Sequence, residues 1–125
     1  REIEEAIQAH PNIAEVAVVG VHDEVKGQAV IAFAVVKDAG RTSTPESTTQ
    51  MEKEVMATVD KELSAIARPA KVHFVSALPK TRSGKLLRRS MQALAEGREP
   101  GDLTTLDDPT SLELIRNAIA EWRKD

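Results

Sequence analysis

Two apolar runs separated by one short polar stretch constrain this chain more than anything else in it. Val16-Ala17-Val18-Val19-Gly20-Val21 and Ala29-Val30-Ile31-Ala32-Phe33-Ala34-Val35-Val36 are too short and too rich in β-branched residues to be buried helices. Neither run alternates apolar with polar residues, so each predicts a strand covered on both faces, the first of them a central strand. The connection between them, His22-Asp23-Glu24-Val25-Lys26-Gly27-Gln28, is polar, contains a glycine and is short enough to make the two strands neighbours. Strands of this kind need helices packed on their sheet.

The remaining sequence supplies them. Ile3, Ala6 and Ile7 lie one helical turn apart with Glu2, Glu4 and Glu5 toward water, and His10-Pro11-Asn12 ends that helix. Residues 38–49 are rich in Ser, Thr, Gly and Pro without apolar periodicity and predict a surface loop. Met51, Val55, Met56, Val59 and Leu63 then predict an amphipathic helix, closed before Arg68-Pro69 because a residue preceding proline avoids the helical region. Val72–Val75 is a third short strand. Ser83 is placed to cap a helix running through Leu86, Leu87, Met91, Leu94 and Ala95 to a stop at Gly97. Asp107 or Asp108 caps a last helix with Pro109 in its first turn and Leu112, Ile115, Ile119 and Trp122 on one face. The expected order α-β-β-α-β-α-α describes an α+β domain, a short three-stranded sheet covered by helices. At 125 residues it holds one core, aliphatic because the chain has two Phe, one Trp and no Tyr. The helical pattern is under way at Glu2 with no initiator Met, which reads as a piece of a longer protein.

Charge is distributed unevenly. From Arg68 to Arg98 there are eight Lys/Arg and one acid, Glu96, a net +7, while the rest of the chain carries −10. The centre of that stretch, Leu78-Pro79-Lys80-Thr81-Arg82-Ser83-Gly84-Lys85-Leu86-Leu87-Arg88-Arg89, stiffens the backbone with Pro79 and offers Thr81 and Ser83 hydroxyls to a turn. Gly84 permits a left-handed turn, beside which Lys85 has a long reach. A flexible ammonium of this kind suits a phosphate or carboxylate whose charge changes during reaction. Gly84-Lys85 is not a phosphate-binding P-loop, which needs glycine where Pro79 stands and Ser or Thr where Leu86 stands. Nucleic-acid binding by Arg82, Lys85, Arg88 and Arg89 finds no rings to stack bases and an overall net charge of −3. A binding module for nucleic acid or acidic partners, and a plain solvated basic face, are the competing readings.

Other chemistries are poorly provided for. There is no cysteine, hence no disulfide, thiolate zinc site or cysteine nucleophile, and His10, His22 and His73 lack ligand spacing, so no metal site is expected. No apolar run approaches the roughly 20 residues of a bilayer span and nothing resembles a signal peptide, which predicts a cytoplasmic protein with no membrane contact. Asp23 and Glu24 are a turn pair without a partner for acid–base work.

The run Pro79–Arg89 resembles the C-terminal lysine motif of the adenylate-forming acyl-CoA synthetases. Glu2-Ile3-Glu4, His10-Pro11, Val16–Gly20 and Lys26-Gly27-Gln28 also resemble their mobile C-terminal domain, so the likeness covers essentially the whole chain. The tail Gly101-Asp102-Leu103-Thr104-Thr105-Leu106-Asp107-Asp108-Pro109 resembles the short-chain group that activates acetate or propionate. Leu86–Ser90 and Ala95–Arg98 are more similar to the propionate members. The resemblance implies a two-step reaction in which ATP and a carboxylate give acyl-adenylate and pyrophosphate, and coenzyme A then displaces AMP. It implies that Lys85 serves adenylation, supported by Thr81, Arg82, Ser83 and Gly84, and that the domain then rotates to present another face for thioester formation. ATP with its Mg²⁺ and coenzyme A would be held mainly by a large N-terminal domain, this domain's first partner; alone, the domain is expected to be inactive. Some relatives carry an arginine for a coenzyme A phosphate where this chain has Asp60, so Lys61 or Arg68 is the candidate substitute. Lys85 is also implied as a target of a protein acetyltransferase and a sirtuin-type deacylase, acylation removing its charge.

Overall fold

The structure, a computed structural model, describes residues 2–23 and 27–123. Helix α1 (Glu2–Gln8) leads into strands β1 (Ile13–Asp23) and β2 (Gly27–Val36), followed by α2 (Pro45–Glu62), β3 (Lys71–Phe74), α3 (Arg88–Ala95) and α4 (Pro109–Arg123). Short 3₁₀ turns at Ala39–Thr42 and Ala65–Ala67 flank α2. This is the expected α+β order. Strands β1 and β2 pair antiparallel from Ile13↔Val36 to Asp23↔Gly27, and β2 pairs parallel with β3 from Ile31↔Lys71 to Ala34↔Phe74.

The sheet order is β1-β2-β3, so β2 is central and β1, expected in that place, is an edge. Its apolar run reflects burial of both faces, which an edge strand shares when helices cover the sheet above and below. The expected polar connection is also mostly strand, since His22 and Asp23 continue β1 and Gly27 and Gln28 begin β2. Backbone pairing extends past the apolar residues because it does not depend on them. Glu24, Val25 and Lys26, and with them part of the anticipated turn, lie outside the described residues.

Alternation along the strands divides the core in two. Ala17, Val19, Val21, Ile31 and Phe33 meet Met91, Leu94 and Ala95 of α3 and Leu112, Ile115 and Ile119 of α4. Val16, Ala32, Ala34 and Val72 meet Ala6 and Ile7 of α1 and Met51, Val55 and Val59 of α2. Ile13 joins this second set because the ladder slips between Ile13 and Glu15, and a one-residue slip changes the face a side chain occupies. Each fully buried aliphatic side chain contributes roughly 1.5–3 kcal/mol relative to exposure.

Two boundaries differ from expectation. The surface segment 38–49 is not one loop: α2 starts at Pro45 behind a Thr44 cap and takes the segment's last five residues. The Thr44 hydroxyl accepts the Ser47 N–H and the Ser47 hydroxyl accepts the Thr44 N–H, both at 3.0 Å. The Ser/Thr/Pro composition was therefore helix-start chemistry on a solvent-facing first turn. Second, α3 begins at Arg88 behind Leu87, not at a Ser83 cap. Its end agrees with expectation: Gly97 has φ +78°, its N–H donates to Leu94 O at 3.1 Å, and Arg98 N–H donates to Ala93 O at 2.7 Å. At α4, Asp108 is the cap, its carboxylate accepting Thr110 N–H at 3.0 Å.

Two histidines do more than composition suggested. His10 Nδ1 accepts Asn12 N–H at 3.0 Å, leaving Nε2 to donate to Glu54 Oε1 at 2.9 Å and tie the end of α1 to α2. Arg41 binds the same carboxylate at 2.6 Å, and Arg41 first and His10 second hold the Glu54 carboxyl down to about 2. His73, on β3, is buried, stacks on Phe33 at 5.2 Å and meets the edge of Trp122 at 5.4 Å. Its Nε2 has no hydrogen-bond partner, and desolvation, with nearby Lys71, pushes its pKa from 6.5 down to about 4. The fold thus holds His73 neutral while the unfolded chain takes a proton as pH falls below 6.5, so stability is lost from there down to about 4. At pH 5 the loss from this residue is about 2 kcal/mol relative to pH 7.5. Urea unfolding of the domain at both pH values is expected to show this loss, and His73→Phe to remove it.

Candidate functional site

The basic motif folds as a tight hairpin, with no helix turn before Arg88. Lys80 bridges antiparallel to Leu86, Thr81 N–H donates to Lys85 O at 2.9 Å, and Gly84 N–H donates to Thr81 O at 2.9 Å. The loop is thus Arg82-Ser83-Gly84, with Gly84 at φ +92° where a three-residue hairpin requires a left-handed residue. Side chains complete the turn: Thr81 Oγ1 accepts Lys85 N–H at 3.1 Å and lies 3.0 Å from Ser83 Oγ. Thr81, Ser83 and Gly84 therefore act as the sequence suggested, by shaping a turn, although the turn belongs to a hairpin.

A second segment backs this hairpin. Thr81 bridges to Leu106, Asp107 N–H donates to Lys80 O at 2.9 Å, and Arg82 N–H donates to Thr105 O at 3.3 Å. Beyond the turn, Leu86 and Leu87 pack on the α3–α4 core, and Leu87 N–H donates to Pro79 O at 3.0 Å. Lys85 therefore has a fixed backbone, while its side chain is exposed and has no hydrogen-bond or ion-pair partner among the described residues.

Most neighbouring cations are committed. Lys80 is ion-paired with Glu15, Arg88 grips Glu4 through two hydrogen bonds of 2.8 and 2.9 Å, and the Arg82 guanidinium reaches Thr104 O at 3.4 Å. Arg89 shares Lys85's freedom, and the two line an open groove of ≈ 870 Å³ along residues 84–90. The basic stretch thus offers two free cations at this groove, too few for a continuous phosphate-backbone track.

Lys61 and Arg68 lie elsewhere. Lys61 is in the last turn of α2, exposed, and Arg68 follows the 3₁₀ turn after that helix. Because α2 packs on the opposite side of the sheet from Leu86 and Leu87, the fold does not bring either residue together with Lys85. Arg68 is bonded through Nε and Nη2 to Asp60, which lowers the Asp60 pKa and raises that of Arg68. Among the described residues no group of three or more His, Cys, Asp or Glu could hold a metal ion, and no helix is long and apolar enough to cross a membrane.

Residues 2–85 match the family described as the AMP-binding enzyme C-terminal domain, a match that ends on Lys85 itself. The chain belongs to this family. It is 55% identical over 121 residues to the propionate–CoA ligase of Salmonella typhimurium, covering 97% of this chain and 19% of that protein. It is 47% identical over 124 residues to the acetyl-coenzyme A synthetase of Pyrobaculum arsenaticum, covering 99% of this chain and 18% of that protein. The fold is also that of the acetoacetyl-CoA synthetase from Streptomyces lividans, with a TM-score of 0.70 at 22% identity over 98% of this chain and 18% of that one. The chain therefore spans about a fifth of the length of the curated relatives it matches.

In this AMP-binding C-terminal domain the turn glycine and the lysine should separate cleanly in their effects. Gly84→Ala has room for its methyl, with nothing within 4 Å, but must hold φ +92°. It is expected to cost about 1–2 kcal/mol in urea unfolding, whereas Lys85→Ala is expected to change stability by less than about 0.5 kcal/mol.

Proposed function

We propose that this chain is the C-terminal domain of an AMP-forming short-chain acyl-CoA ligase acting on propionate or acetate, and that Lys85 is its adenylation residue. The observation that carries the reading is the contrast at Lys85 between a fully bonded backbone and an ammonium without a protein partner. A charge held in place yet unpaired is suited to an anion that arrives only during turnover. The higher identity to a propionate–CoA ligase than to an acetyl-coenzyme A synthetase favours propionate.

In the first step a carboxylate oxygen attacks the α-phosphorus of ATP, the bond to the bridging oxygen breaks and pyrophosphate leaves. Negative charge builds on the equatorial and leaving oxygens, and the Lys85 ammonium stabilises that charge more strongly than the separated reactants. In the second step the thiol of coenzyme A displaces AMP from the acyl carbon. A lysine specific to the first step fits rotation of the domain between the two, which removes it from the site. Lys61 and Arg68 are the candidates for a coenzyme A phosphate; Arg68 would have to share its guanidinium with Asp60. In this reading the Mg²⁺ that accompanies ATP would be held by the nucleotide phosphates and the larger domain; among the described residues no group of three or more His, Cys, Asp or Glu is placed to bind a metal. Exposure of Lys85 also makes it accessible to an acetyltransferase and a deacylase, with the adenylation step as the one switched off. The reading includes a cytoplasmic location for the enzyme.

The test uses the full-length ligase carrying Lys85→Ala, with pyrophosphate release and thioester formation from supplied propionyl-adenylate measured separately. Adenylation is expected to fall about 10²–10³-fold, with thioester formation retained. Undiminished pyrophosphate release would remove Lys85 from catalysis and return the basic hairpin to the binding-module reading.

A further inference from the structure

Glu4, which the helical pattern of α1 turns toward water, is held by other parts of the fold. Its side chain is only 18% exposed, and its carboxylate collects three donors from two other parts of the fold. Oε2 accepts Val18 N–H of the edge strand β1 at 2.7 Å and Arg88 Nη1 at 2.8 Å, while Oε1 accepts Arg88 Nη2 at 2.9 Å. Arg88 is the first residue of α3 and stands three positions after Lys85. The N-terminus of α3 has no side-chain cap, so beside the Leu87 N–H bond to Pro79 O the Arg88–Glu4 fork is a side-chain tie at the start of this helix. On the other side of the hairpin, Lys80 is tied to Glu15 of β1. Lys80 has only one nitrogen to offer, and Glu15 is more exposed than Glu4, at 39% against 18%, so the fork to Glu4 is the better-defined anchor.

We propose that Glu4 and Arg88 are positioning residues for Lys85. Their fork holds the start of α3, and with it the outgoing strand of the hairpin, against β1 so that the lysine ammonium is presented at one place. Neutralising Arg88 also keeps its charge from competing for the anion that Lys85 is to meet. Neither residue touches the reacting atoms in this arrangement, and both act through the backbone between Leu86 and Arg88. The inference rests on the adenylation role proposed for Lys85.

The experiment is a double-mutant cycle in the full-length ligase with Glu4→Gln, Arg88→Gln and the double variant, alongside Lys85→Ala. Glu4→Gln keeps an acceptor for Val18 N–H while removing the charge that orients Arg88, and thermal melts identify any variant that fails to fold. Arg88→Lys retains the charge without the fork. Displacement of a reacting group by about 1 Å costs on the order of 10²-fold, so each single variant is expected to lower the rate of adenylation roughly ten- to a hundredfold. Thioester formation from supplied acyl-adenylate should stay within about twofold, the double variant should be no worse than the worse single one, and Arg88→Lys should fall between wild type and Arg88→Gln. Unchanged adenylation in both single variants, equal losses in the two half-reactions, or losses that multiply in the double variant would each overturn the proposal. If Lys85→Ala impairs adenylation while the Glu4 and Arg88 variants do not, the positioning role fails and the Lys85 role stands; if Lys85→Ala has no effect, both fail.

Discussion

A three-stranded sheet that is apolar on both faces has little width with which to hide itself, and the rest of the domain follows from that constraint. Strand β2 is shielded along both its edges, by β1 and β3, and its residues from Ile31 to Ala34 are fully buried. Helices α1 and α2 close one face and α3 and α4 the other. Strand β1 remains as an edge with outward amides, and two of them, at Val18 and His22, are taken by the carboxylates of Glu4 and Glu96. The same carboxylates bind Arg88 and Arg98, so edge protection and charge pairing are the same contacts. The His22 amide, ahead of Arg98, keeps the Glu96 carboxyl below its usual range.

Much of this was legible in the sequence because it is written in periodicity. The element order, the Gly97 stop and the cap at Asp107 or Asp108 all follow from apolar spacing and end-capping residues, whereas which helices share a face does not. What periodicity cannot carry is register across distance. That β1 is an edge depends on β3 pairing with β2, a choice between two equally apolar partners. The start of α2 was hidden because Pro45 to Gln50 is solvent-facing and lacks an apolar face, leaving only cap chemistry to announce it.

The lysine turn is legible in its residue types and not in its geometry. Thr81, Ser83 and Gly84 announce a turn beside Lys85, yet a serine before an amphipathic stretch reads as a helix cap. Here Thr81 Oγ1 is claimed by the Lys85 amide and the hairpin postpones the helix to Arg88. The segment from Thr104 to Asp107 is marked in the sequence by a family likeness and not by any sign of pairing, so it is not recognisable there as the hairpin's partner; that signal is the backbone pairing alone. Glu4 and Glu15 were equally silent, since an acidic residue on an exposed position has the same appearance in sequence whether or not a cation lies above it.

The pairing of Lys80 to Arg82 with Thr105 to Asp107 also bears on the order in which the chain assembles. The β1–β2 ladder begins between residues as near as Asp23 and Gly27 and grows by local steps. The lysine hairpin can close on itself just as locally, but its backing arrives only after a loop of some twenty residues has been closed and α3 has turned the chain around. Covering the sheet joins residues much farther apart in the chain, with Ala17 and Phe33 meeting Leu112 and Ile115. The frame of Lys85 thus depends on residues some twenty positions beyond it, and a domain in which that loop is open keeps the hairpin without its backing.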